Sequence, residues 1–113
     1  MKWWKKRGYI RGRHYTTYVQ DVKNLKNAGD IKSAEKLLIE LIQATEAEDK
    51  VEKMGVAPWY YEELEKIYRK EKYCENEVKI LERFAKQRHG RGVKPPKLLE
   101  RLEKAKILRN KTS

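Results

Sequence analysis

Residues 17–44 decide the fold, and they read TYVQDVKNLKNAGDIKSAEKLLIELIQA. The beginning of this stretch places apolar side chains at i, i+4 and i+7, on one face of a helix: Tyr18, Val22 and Leu25. Gly29 can adopt the left-handed conformation that ends a helix, and Asp30 can cap the helix that follows. The stretch therefore predicts two antiparallel helices joined by a Gly-Asp turn.

The same scheme recurs in residues 58–88, displaced by 43 positions. At that offset large apolar residues coincide in pairs: Tyr18 with Tyr61, Leu25 with Tyr68, Leu37 with Ile80, Leu38 with Leu81 and Leu41 with Phe84. A helical hairpin cannot bury its apolar face alone, so the repetition predicts two hairpins that stack. Residues 97–108 add a fifth amphipathic pattern. The predicted fold is all-α, with two stacked antiparallel helical hairpins plus a C-terminal capping helix.

The repeated hairpin resembles the tetratricopeptide repeat (TPR), a helix-turn-helix unit with a small residue in its second helix. The first copy matches in order and spacing at Tyr18, Val22, Leu25, Gly29, Ala34, Leu38 and Leu41, and the second matches in part at Tyr61, Leu64, Tyr68, Leu81 and Phe84. In the second copy Glu77 stands in place of Ala34 and Lys72 in place of Gly29, and the period is 43 residues rather than about 34. The resemblance implies an α-solenoid fragment that binds a protein or peptide partner.

The domain organisation follows from the limits of these patterns. Residues 1–14 lack helical spacing and are expected to form an irregular basic aromatic arm. We expect residues 15–109 to form one TPR-like helical domain, as suits a chain of 113 residues, and residues 110–113 to form a tail. Glycines and a proline pair in residues 89–96 predict a linker before the last helix. Two hairpins are a short array, so an uncapped end would favour self-association into a homo-oligomer.

Composition excludes several classes of protein. Charged residues make up 40% of the chain and hydrophobic residues 39%, which favours amphipathic helices with solvated outer faces. No apolar run exceeds three residues, as in LLI at residues 37–39, which is too short for a membrane span or a secretory signal. With one cysteine, Cys74, the chain has no internal disulfide. We therefore expect a cytoplasmic protein.

The charge is concentrated at the two ends of the chain. The net charge is +11, and residues 1–15 carry six basic side chains and no acidic one. Basic residues between aromatic rings could bind nucleic acid, with phosphates contacted from the arm and from residues 86–97. The candidate phosphate contacts are Lys5, Lys6, Arg7, Arg11, Arg13, Arg88, Arg91 and Lys94. Solubility of the ends explains the same charges equally well.

No constellation of residues points to catalysis or to a cofactor. His14 and His89 lie among basic residues without metal-ligand spacing, which favours surface or phosphate-contacting roles. The carboxylates fit solvated helix faces, where pairs such as Glu46 and Lys50 support the helix. We therefore expect a protein that is not an enzyme and holds neither metal nor cofactor.

An aromatic cluster supplies the candidate partner contacts. Trp59, Tyr60 and Tyr61 are consecutive, and successive helical residues differ by about 100°, so at least one ring should be exposed or line a groove. The cluster could instead pack on different neighbours, since single exposed aromatic residues are common. Trp59, Tyr60 and Tyr68 are the predicted partner-binding residues of a non-enzymatic interaction module.

Overall fold

The computed structural model describes residues 7–90, 92 and 94–112. These residues form two short strands, a 3-10 turn at Tyr15–Tyr18 and five α-helices, in order: β1 Tyr9–Ile10, β2 Arg13–His14, α1 Val19–Asn27, α2 Ile31–Glu52, α3 Pro58–Lys70, α4 Cys74–Ala85 and α5 Lys94–Thr112. Apart from the two-stranded sheet, the secondary structure of the described residues is helical, which confirms the all-α class. None of the described helices is long and apolar enough to cross a membrane.

The chain divides into two compact units, Met1–Lys53 and Met54–Ser113. In the first unit α1 and α2 form the predicted hairpin. Asp30 caps α2 by accepting a hydrogen bond from the Ser33 N–H at 3.3 Å. The apolar ridge forms the core, and its completely buried members are Val22, Ala34, Leu38, Leu41 and Ile42.

A β-hairpin precedes α1, where the sequence predicted an irregular arm. Tyr9 pairs with His14 and Ile10 pairs with Arg13. Both residues between the strands have positive φ, 49° at Arg11 and 83° at Gly12, which is the signature of a tight type I′ turn. The Tyr18 hydroxyl donates to the Ile10 carbonyl at 2.8 Å and holds the hairpin against the 3-10 turn.

The second unit consists of the α3–α4 hairpin and α5. The rings of Tyr61 and Phe84 meet edge to face in the core of this hairpin, with their centroids 5.1 Å apart. From α5, Leu98, Leu102 and Ala105 are buried, so this helix packs an apolar face on the unit. The helix begins at Lys94, three residues before the predicted start, since Pro95 and Pro96 fall in its first turn, where a missing N–H removes no helical bond.

Two backbone segments of the second unit approach each other closely before α3 and after α4. The Val56 N–H donates to the Arg88 carbonyl at 3.0 Å. At Gly55, where φ is 103°, a Cβ atom would lie 2.8 Å from the Gly90 Cα. Glycine is therefore required at position 55 by both its conformation and its neighbour.

The turn between the two helices of each hairpin is repeated in the backbone. After α1 the hydrogen bonds run from Ala28 N to Asn24 O, from Gly29 N to Lys26 O and from Asp30 N to Leu25 O. After α3 they run from Glu71 N to Ile67 O, from Lys72 N to Arg69 O and from Tyr73 N to Tyr68 O. Every donor and acceptor is displaced by 43 positions. Both sets form a Schellman motif, which closes the end of a helix.

Candidate functional site

The predicted aromatic contacts lie on α3 and differ in exposure. Tyr60 is 3% exposed and Tyr68 is 7% exposed, so both rings are buried. Trp59 is half-buried and packs edge to face on Tyr60, with ring centroids 5.0 Å apart. Of the three predicted residues, Trp59 therefore offers the most surface to a partner.

Several predicted phosphate contacts already pair with carboxylates. Arg11 Nη1 lies 3.0 Å from Glu40 Oε2, and Lys94 Nζ lies 2.6 Å from Glu62 Oε1. Burial of Glu62 acts to raise its pKa, but the hydrogen bond from Lys94 and nearby positive charges bring that pKa below its ordinary value. A phosphate would have to compete with these carboxylates.

Arg13 is paired as well. Its Nη2 lies 3.2 Å from Asp21 Oδ1, and its guanidinium lies over the Tyr18 ring, 4.0 Å from the centroid. Arg7 and Arg88 are exposed. Three other predicted contacts lie outside the described residues: Lys5, Lys6 and Arg91.

A cleft of about 450 Å³ lies in the first unit, between the β-hairpin and the C-terminal half of α2. We call it the N-terminal cleft, and its lining residues are Arg7, Tyr9, His14, Glu48, Val51 and Glu52. Sequence reasoning missed it because the cleft joins residues about 40 positions apart. Its one local signal is the spacing of Glu48 and Glu52, which are neighbours on one helix face.

His14 forms a fixed wall of the N-terminal cleft. Its Nε2 lies 2.6 Å from Glu48 Oε2, and its Nδ1 lies 2.8 Å from Thr16 Oγ1. The ring lies between Tyr9 and Tyr15, with centroids at 5.3 Å and 4.5 Å. Hydrogen bonds at both nitrogens and rings on two sides hold this imidazole in one orientation.

Gly8 lets the backbone approach this wall. Its φ is 85°, and a Cβ atom at this position would lie 2.9 Å from Glu48 Oε2 and 3.2 Å from His14 Nε2. The Gly8 carbonyl also accepts a hydrogen bond from the Tyr15 N–H at 2.8 Å. The shape of the cleft therefore depends on a glycine at position 8.

A buried charge cluster occupies the second unit between α3, α4 and α5. It comprises Glu65, Arg69, Glu77 and Arg101. Glu65 is 0% exposed and Glu77 is 1% exposed. Arg101 Nε donates to Glu65 Oε1 at 2.6 Å, and Arg69 Nε donates to Glu77 Oε2 at 2.7 Å. At the 43-residue offset these two glutamates replace Val22 and Ala34, which are completely buried in the first hairpin.

Not every buried polar atom of this charge cluster forms a hydrogen bond. Glu65 Oε2 and Arg69 Nη2 are buried without a hydrogen-bond partner. Burial, together with the neighbouring Glu65 carboxylate, raises the pKa of Glu77 to about 7, although Arg69 opposes the shift. A carboxyl group that titrates near neutral pH therefore lies in the core of this unit.

Within the part of the chain that the structure describes, no three His, Cys, Asp or Glu side chains are grouped to hold a metal ion. Comparisons with protein-family models, curated proteins and solved structures give no match for this chain. What the protein does must therefore be inferred from its own residues and their geometry.

Proposed function

We propose that this chain is a non-enzymatic, TPR-like helical-repeat module that binds a protein or peptide partner. The observation that carries this proposal is the second copy of the helix-turn-helix backbone, with each turn hydrogen bond displaced by 43 residues. Repeated helical hairpins of this kind commonly act as scaffolds for extended binding surfaces.

The repetition concerns hairpin geometry more than residue identity. Lys72 has a φ of 62° where Gly29 has 79°, so the second copy keeps the left-handed turn residue without glycine. The next bond is kept too, from Ala34 N to Asp30 O at 3.1 Å and from Glu77 N to Tyr73 O at 2.9 Å. This agreement in backbone supports two copies of one structural unit.

Trp59 is the partner contact that the exposure of α3 favours. Tryptophan is enriched among the residues that dominate binding energy at protein interfaces. The buried Tyr60 ring supports Trp59 from one side, so the indole would lose little conformational freedom on binding. Tyr60 and Tyr68 then contribute by holding α3 in place.

The test compares Trp59→Ala with Tyr73→Ala as a matched loss of one ring. Tyr73 is 55% exposed and precedes α4 in the same unit. Immobilised wild-type protein and both variants would be incubated with extract from the source cells, and captured proteins identified by mass spectrometry. A partner captured by the wild type should be lost with Trp59→Ala and kept with Tyr73→Ala.

Circular dichroism would first show that both variants keep their helices. Equal capture by the wild type and Trp59→Ala would remove Trp59 as the contact. If no protein or peptide is captured specifically by the wild type, the proposed function itself fails. Captured nucleic acid that high salt releases would instead support a nucleic-acid accessory protein.

A further inference from the structure

We propose that the N-terminal cleft binds a zwitterionic α-amino acid, with its carboxylate on Arg7 and its ammonium group on Glu52. This binding site is separate from the partner contact on α3 and does not depend on the proposed function. The described residues that line the cleft belong to the first unit.

The charges of the cleft are the first argument. Glu48 already contacts His14, with 2.6 Å between Glu48 Oε2 and His14 Nε2. Among the described lining residues, Arg7 is an exposed cation and Glu52 an exposed anion, and neither forms an ion pair with any residue that the structure describes. Two opposite charges thus line one cleft without neutralising each other.

A ligand with both charges satisfies this arrangement best. A guanidinium binds a carboxylate through two parallel hydrogen bonds, and a carboxylate accepts charge-assisted bonds from an ammonium group. A free phosphate enclosed in the cleft would meet the Glu52 carboxylate, and a simple cation enclosed there would meet the Arg7 guanidinium. A zwitterion places its carboxylate against Arg7 and its ammonium group against Glu52, so each lining charge faces an opposite charge.

The size and apolar lining of the cleft indicate an amino acid with a hydrophobic side chain. Small-molecule sites occupy about 300–1,000 Å³, and the cleft measures about 450 Å³. Tyr9 is 43% exposed and Val51 is 52% exposed, so both offer apolar surface that a ligand would cover. Leucine combines the two charges with a side chain of this character.

One wall of the site is formed before any ligand arrives. His14 is held by Glu48 and Thr16, and Gly8 keeps the backbone against this pair. A wall that does not have to be ordered on binding removes part of the entropic cost of association.

The test is an NMR titration of the full chain with L-leucine, in which the chemical shifts of the protein's backbone amides are measured. N-acetyl-L-leucine lacks the ammonium charge, and L-leucinamide lacks the carboxylate. The variants are Glu52→Gln and Arg7→Gln. Their matched controls are Glu100→Gln and Lys32→Gln, which neutralise exposed charges outside the cleft.

Leucine should shift the amides of Gly8, Val51 and Glu52. Loss of either cleft charge should weaken binding at least about tenfold, since each removes a charge-assisted hydrogen bond to the ligand. Glu100→Gln and Lys32→Gln should leave the affinity unchanged. N-acetyl-L-leucine has no ammonium group for Glu52 to bind. Glu52→Gln should therefore leave the affinity for N-acetyl-L-leucine unchanged.

Three results would overturn the assignment, provided that the spectra show folded variants. The first is the absence of shifts at about 10 mM leucine, tenfold above a Kd of about 1 mM. The second is equal binding of leucine and N-acetyl-L-leucine. The third is unchanged affinity in both Glu52→Gln and Arg7→Gln. None of these results bears on partner capture through Trp59, so the two proposals can fail separately.

Discussion

Lys72 adopts a backbone conformation that favours glycine. Its φ of 62° places it in the left-handed region, at the position that Gly29 occupies in the first hairpin. A side chain with a Cβ atom costs about 1–2 kcal/mol in this region, whereas glycine enters it freely. The Schellman hydrogen bonds from Lys72 and Tyr73 keep the residue there.

Relief of this strain should stabilise the second unit. We expect Lys72→Gly to raise the free energy of unfolding in urea by about 0.5–1 kcal/mol, after the greater freedom of glycine in the unfolded chain is allowed for. Lys79→Gly is the matched control, since Lys79 is an exposed residue inside α4, and it should lower stability by about 1 kcal/mol. A loss of stability in Lys72→Gly would contradict the strain.

Glu77 should make the stability of the second unit depend on pH. Its pKa is about 7 in the folded protein and 4.5 ordinarily, so the folded state binds the proton more tightly than the unfolded state. Between these two values the free energy of unfolding must fall as pH rises, by about 2–3 kcal/mol. This contribution is fully present below the ordinary pKa and is lost above about pH 7.

Urea unfolding of the wild type and Glu77→Gln at pH 5 and pH 8 would test whether the free energy of unfolding falls as pH rises. The amide keeps the shape of a protonated carboxyl group, so the variant should lose most of the decrease between the two pH values. Glu71→Gln changes an exposed carboxylate in the same unit and should keep the wild-type dependence. An identical pH dependence in Glu77→Gln and the wild type would show that Glu77 is not the titrating group.

At the scale of elements, α5 is attached to the α3–α4 hairpin by apolar burial and by ion pairs of unequal strength. Arg101 contacts Glu65, whose side chain has no exposure, at 2.6 Å. Arg109 contacts Glu75, whose side chain is 61% exposed, at 3.4 Å. Burial rather than the number of ion pairs should decide which contact matters, because exposed pairs are screened by water.

Arg101→Met should therefore be much more damaging than Arg109→Met. The first change leaves the buried Glu65 carboxylate without its strongest partner and should lower the free energy of unfolding by about 3 kcal/mol. The second should change it by less than about 1 kcal/mol. In the double variant Glu65→Met with Arg101→Met, much of the loss should be recovered, since two apolar side chains replace the pair. Similar effects of the two single variants would refute the ranking by burial.

The helices were predictable from the sequence, and the β-hairpin was not. Apolar spacing and the Gly29-Asp30 turn indicate α1 and α2 because these signals are local. The turn at Arg11-Gly12 lacks the usual Asn-Gly pair, and strands of two residues are too short for alternation to be seen. Lys72 was missed for a related reason, since its left-handed conformation is imposed by hydrogen bonds rather than by its own preference.

The sites were less predictable than the helices. The Trp59-Tyr60-Tyr61 run predicted that at least one ring would be exposed or line a groove, and the structure buries Tyr60 and Tyr61 and leaves Trp59 half-buried. Residue type alone could not show which ring stays accessible. The N-terminal cleft depends on tertiary contacts between residues 7–14 and 48–52, and no local pattern encodes them.

At the scale of the whole molecule, a net charge of +11 should attract polyanions, but not every arginine should contribute equally. Arg7 and Arg11 provide a matched pair, because either change to glutamine lowers the net charge by one. Arg11 lies 3.0 Å from Glu40, whereas Arg7 is exposed and forms no ion pair with any described residue.

Binding of fluorescent single-stranded RNA at several salt concentrations would distinguish the phosphate contacts of individual arginines from the effect of net charge. We expect Arg7→Gln to weaken binding more than Arg11→Gln, since a phosphate must displace Glu40 to reach Arg11. If Arg7 neutralises one phosphate, its loss should also reduce the slope of log affinity against log salt by about 0.7. Equal effects of the two variants would mean that only the total charge attracts the RNA. Arg7 would then make no phosphate contact of its own.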